Sequence, residues 1–147
     1  MNQKPSEVCA LAARLDPVSQ GAATVATGWV AVKDYHRLLA VLMVGALGAS
    51  ATVDAKVQQA SDGSGTGAKD LTTAKSITQL TQAGTDANKQ VLINVEPDDL
   101  DLDNGFTHVR LSVTVATAAC LIAALILGFY ARFSPPSQAA TVDEVVG

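Results

Sequence analysis

Val109-Arg110-Leu111-Ser112-Val113-Thr114-Val115-Ala116-Thr117-Ala118-Ala119-Cys120-Leu121-Ile122-Ala123-Ala124-Leu125-Ile126-Leu127-Gly128-Phe129-Tyr130-Ala131 is the stretch on which the fold turns. From Leu111 to Ala131 it runs twenty-one residues without a charge, between Arg110 and Arg132, long enough to cross a bilayer as one helix. Its first half reads differently. Val109, Leu111, Val113 and Val115 alternate with Arg110, Ser112 and Thr114, which is the two-residue period of a half-buried strand. β-Branched residues in that alternation suit a sheet, whereas Val and Thr are indifferent helix formers. The weakly apolar Ala116-Thr117-Ala118-Ala119 can hold a bend, after which Cys120 to Phe133 returns as a second, more buried strand. Two strands are therefore expected; a small membrane protein anchored through residues 111–131 is the alternative.

The segments before this stretch support the β reading. Ala51, Val53, Ala55 and Val57 alternate with Thr52, Asp54, Lys56 and Gln58, the clearest amphipathic strand in the chain. Thr24 to Val32 reads as a first strand, Lys33-Asp34 as a corner, and Tyr35 to Val44 as a strong apolar strand broken by Gly45-Ala46-Leu47-Gly48. Lys75 to Thr81 and Gln90 to Val95 are further strands, with a polar loop, Gln82 to Asn88, between them and Pro97 ending the second. Glu96 to Leu100 fits one helical turn, and Asn104-Gly105 a tight turn into the Val109 strand. Strands at these intervals imply two packed antiparallel sheets, a β-sandwich or jelly-roll-like domain.

The ends read as extended arms. Residues 1–22 are a polar, Ala-rich N-terminal arm with Pro5, Pro17 and Gly21, in which Ser6 to Leu15 can form a short, marginal helix. The domain proper spans 23–133, and Pro135-Pro136 opens a C-terminal tail, 134–147, that can reach a neighbour. Met1 to Arg14 lacks the apolar segment of a signal peptide, so no export is implied.

Composition favours packing over chemistry. The chain is 48% hydrophobic but only 4% aromatic, a balance that builds thin β layers better than a pocket lined by large side chains. A net charge of −4, with ten scattered Lys and Arg, argues against a nucleic-acid partner. Cys9 and Cys120 stand far apart without a C-x-x-C or His-rich context, and read as free thiols suited to a reducing cytoplasm.

Candidate chemistry is thin, and no catalytic, cofactor or metal residue is assigned. Gly63 to Lys69 superficially matches a phosphate-binding loop, but Ala68 separates Gly67 from Lys69 and Asp70 follows, so a flexible surface loop is expected. The acidic run Asp98-Asp99-Leu100-Asp101-Leu102-Asp103-Asn104-Gly105 could converge on a hard cation. Counted from Asp99, however, Asn104 replaces the turn glycine of a calcium loop and Arg110 replaces its bidentate Glu, which leaves an acidic surface turn. His36 and His108 lack a nucleophile partner, and two histidines do not make a zinc site. Arg110 has two uses open to it: pairing with a preceding Asp, or contacting another subunit.

Three stretches carry a resemblance: Val30-Ala31-Val32-Lys33-Asp34-Tyr35-His36-Arg37-Leu38-Leu39, Val53-Asp54-Ala55-Lys56-Val57-Gln58-Gln59-Ala60-Ser61-Asp62 with its Gly-rich loop, and Leu102-Asp103-Asn104-Gly105-Phe106-Thr107-His108-Val109-Arg110-Leu111. In that order, over roughly residues 24–131, the chain resembles small virion structural proteins of tailed bacteriophages encoded near the major capsid protein. The leader and the long C-terminal apolar run depart from the usual pattern. The resemblance implies a non-enzymatic capsid decoration, or cement, protein on the outer capsid surface, assembled in the host cytoplasm. Its partners would be the major capsid protein and itself, as a homo-oligomer such as a trimer. A head-tail connector or tail subunit is the alternative within the virion.

Overall fold

The computed structural model describes residues 3–71 and 73–146; residues 1, 2 and 147, the extreme ends of the leader and tail, lie outside the described residues. One helical turn, α1 (Pro5–Val8), precedes the strands β1 (Cys9–Gln20), β2 (Ala23–Ala26), β3 (Val30–Ala31), β4 (Tyr35–Leu47), β5 (Thr52–Ala60), β6 (Lys69–Asp70), β7 (Leu80–Thr81), β8 (Gln90–Val95), β9 (His108–Ala116) and β10 (Cys120–Ala131). They form two antiparallel sheets, ordered β1-β10-β4-β8 and β2-β9-β5-β6, with β3 also on β9 and β7 also on β5.

Strand pairing identifies the topology. β1 pairs with β10, β2 and β3 with β9, β4 with β8, and β5 with β6 and β7. The first half of the chain thus lies against the second as one long hairpin whose tip is the Gly-rich loop. Rolling that hairpin brings β10 onto β4 and β9 onto β5, which closes the two sheets over one core. This is a jelly roll, an architecture of viral capsid domains, lectins and cupins.

The deciding stretch divides between the sheets. β9 points Val109, Leu111, Val113 and Val115 into the core, and β10 points Cys120, Ile122, Ala124 and Ile126 into it from the opposite sheet. Residues 116–119 therefore form an arch between sheets rather than a hairpin, turned by Thr117 at φ 72 and tied to the β4–β5 turn by Gly48 N–H donating to the Ala119 carbonyl at 2.9 Å. The alternative of an anchor helix over 111–131 is overturned: those residues are two strands and the arch that joins them. No helix among the described residues is long and apolar enough to cross a membrane.

Three other expectations need correction. The helix expected over Ser6 to Leu15 is confined to Pro5–Val8, and most of the leader is β1, an edge strand on β10. Pairing with a long apolar neighbour outweighs a weak helical pattern, and Leu11 and Leu15 consequently face opposite sides of the sheet. Two bulges, one at Pro17, bend this edge and protect it. The first strand is broken at Thr27-Gly28-Trp29 into β2 and β3. There the buried Thr27 Oγ1 accepts from Leu111 N–H at 3.1 Å in place of a backbone carbonyl. The segment expected as one strand over Lys75 to Thr81 does run along β5, through the Ser76–Lys56 bridge and the bonds from Val57 N–H to the Lys75 carbonyl and from Ile77 N–H to the Ala55 carbonyl, but regular strand is confined to β7.

Inward packing is tight. Gly128 on β10 lies under the Tyr35 ring, where a Cβ would sit 2.3 Å from Cδ1. Burial, with lesser contributions from Asp34 and Cys9, raises the Tyr35 pKa.

Candidate functional site, an apolar outer sheet face

The two sheets differ on their outward sides. On β5 and β9, Asp54, Lys56, Gln58, Arg110 and Thr114 face out and are tied together. Lys56 Nζ meets Asp70 at 2.9 Å, Gln79 donates to Asp54 at 2.7 Å, and Thr24 and Thr114 share a hydrogen bond of 2.8 Å. This is a solvated sheet surface.

The other sheet has no such polar layer. Register aligns Leu11, Leu127 and Leu39 in one outward row, Leu125, Val41 and Leu92 in the next, and Ala123 with Met43 beyond them. Leu92 is 61% exposed, Leu121 48% and Met43 46%. Polar groups appear at the margins, where Arg14 holds Asp16 at 2.6 Å, Arg37 holds Glu96 at 3.3 Å and Lys89 holds Asp86 at 2.6 Å. At one end, Val18, Met43, Gly45 and Leu121 line an apolar depression of about 460 Å³. β4 and β10 are nearly continuous apolar runs because both their faces are apolar, the composition of strands meant to be dry on both sides. A contiguous exposed patch of this kind marks an interaction surface.

Residues weighed for chemistry are dispersed. Cys9 pairs with Phe129 and Cys120 with Gln20 at the other end of the same strand pair, so the two free thiols are roughly 30 Å apart, far beyond disulfide reach. Burial raises the Cys9 pKa. His36 is exposed on β4, while His108 is half-buried on β9 with Nδ1 2.9 Å from Thr107 Oγ1. In the Gly-rich loop, hydrogen bonds from Thr66 and from the Ser64 amide close the turn on Asp62 and lower its pKa. Gly65, at φ 87, packs against the Trp29 ring.

In the acidic turn the carboxylates serve separate partners. Asp99 accepts from the Glu96 amide at 2.8 Å and meets Lys75 at 3.2 Å; Asp101 is held by Lys69 at 2.9 Å and Asn104 at 2.8 Å, which lowers its pKa. Among the described residues no group of three His, Cys, Asp or Glu side chains is placed to hold a metal ion. Arg110 pairs with none of the preceding aspartates. Its Nε and Nη2 donate to Gln58 Oε1 at 3.1 and 2.9 Å, and its guanidinium stacks 4.6 Å from the Trp29 ring. Sequence reasoning missed the outer face, although the nearly continuous apolar runs of β4 and β10 were its signal.

No protein-family model matches the sequence, and comparison with curated proteins gives no match. Among solved structures, the chain is similar to one described as "Structure of infectious bursal disease virus Gx strain", at 11% identity and a TM-score of 0.39 over 90% of this chain. This chain spans 35% of the length of that one. The jelly-roll assignment rests on the strand pairing alone.

Proposed function

We propose that this protein is a virion structural protein, a capsid decoration subunit of the tailed-phage type that binds the outside of the head through the major capsid protein. The observation that carries the reading is a jelly roll with one apolar outer sheet face and one polar one, a domain built for association with other chains. A non-catalytic role is in keeping with the two histidines lying in different sheets and with the carboxylates of Asp99 and Asp101 being taken up by capping and ion pairs. The net charge of −4 supports a protein partner over a nucleic-acid one. Repetition on a lattice multiplies modest contacts into firm retention, since each added attachment becomes effectively intramolecular.

Quantitative mass spectrometry of purified particles tests this. A decoration subunit is present in copies comparable to the major capsid protein, whereas a connector or tail subunit is present in about six or twelve. Absence of the chain from particles refutes the virion role altogether.

A further inference from the structure

The apolar outer face of the β1-β10-β4-β8 sheet needs a partner. We infer that it is the same face of a second copy, so that the working unit is a two-fold dimer stacked sheet on sheet. This deepens the virion reading and rests on it for the use made of the dimer.

Size fits a self-association. Strands of 12, 12, 13 and 6 residues, with a rise of ~3.3 Å and a spacing of ~4.8 Å, cover roughly 700 Å². Stable complexes bury ~800 Å² per partner. Charge fits as well. The whole chain carries −4, which opposes pairing of identical molecules, yet the margins of this face are internally neutralised by the Arg14–Asp16, Arg37–Glu96 and Lys89–Asp86 pairs. A second copy therefore meets leucine and valine at the centre and no unpaired like charge from these pairs at the rim.

Shape points the same way. Two sheet faces of similar side chains stack about 10 Å apart, the arrangement already used inside the sandwich, and the end depression beside Leu121 leaves room for a protruding apolar side chain. A lipid surface is the weaker match, because interfacial binding draws on free Lys and Arg facing anionic headgroups. Here Arg14, Arg37 and Lys89 are engaged by their own carboxylates.

The test is sedimentation equilibrium of the full chain across micromolar concentrations. A dimer is expected. Leu125→Glu, in the central row, should raise the dissociation constant roughly thirtyfold or more, as loss of a buried hot spot does. Leu92→Glu, at a position 61% exposed on β8, should act likewise without touching the core, and circular dichroism verifies that each variant is folded. Thr24→Glu, on the opposite sheet, should leave the dimer intact. A wild-type monomer, a trimer, or a dimer indifferent to both leucine substitutions overturns the pairing, as does a monomer that floats with phosphatidylcholine vesicles. A chain monomeric in solution yet abundant in particles loses the pairing and keeps the virion role; a dimer absent from particles does the reverse.

Discussion

Replacing Gln59 by leucine separates a buried hydrogen-bond clamp from simple apolar packing. Gln59 is fully buried on β5, its Oε1 accepts from the Asp101 amide at 2.9 Å, and its Nε2 donates to the Asp70 carbonyl at 3.2 Å. One side chain thus pins both the acidic turn and β6 to the edge of the polar sheet. Gln59→Leu keeps the volume but strands an amide and a carbonyl, each costing about 1–3 kcal/mol when left without a partner. Asp70 is exposed and water can reach its carbonyl, whereas Asp101 is half-buried, so a net loss of about 2 kcal/mol is expected. For a domain of this size that lowers Tm by roughly 4–8 °C. Gln59→Glu retains the acceptor for Asp101 but turns an oxygen toward the Asp70 carbonyl and buries a charge. Burial raises the folded pKa of that carboxyl, so its deficit relative to wild type should be larger at neutral pH than near its unfolded pKa of about 4.3. Urea and thermal denaturation followed by circular dichroism measure both. A loss under about 0.5 kcal/mol for Gln59→Leu refutes the clamp, because no stranded buried pair is that cheap.

Gly128→Ala drives a methyl into the Tyr35 ring and should cost about 1–3 kcal/mol in urea denaturation, with Tyr35→Leu in the same chain restoring part of the loss; additive losses would show that the two residues do not meet. Acid should destabilise the protein in a defined window. Asp70 is held below its ordinary range by a hydrogen bond from Lys56, Asp86 by Lys89 and Asp101 by Lys69. Depressed folded pKa values mean that their stabilisation is present above the unfolded value of about 3.9 and is lost as pH falls through and below it. The urea midpoint should therefore decline below about pH 4, and Lys69→Met should flatten the decline; an unchanged profile in that variant would contradict the ion pair at Asp101.

The β character, the jelly-roll-like class and several strands were legible in the residues themselves. Alternation at Val109 to Val115 and at Ala51 to Val57 assigned a buried side to each strand, because a strand's side chains switch faces at every residue whatever lies beside it. The bend at 116–119, the turn at Gly105 and the end of β8 at Pro97 were equally local matters. Distance in the chain hid the rest. That β9 and β10 join different sheets, that Arg110 answers to Gln58 and Trp29 instead of an aspartate, and that Gln59 is buried among polar partners all depend on residues tens of positions away. The leader shows the same limit, for its weak helical pattern gave way to the open edge of β10, which only rolling the hairpin creates. Local periodicity settles which faces of a strand are apolar; which of those faces is left without cover is settled only when the sheets close.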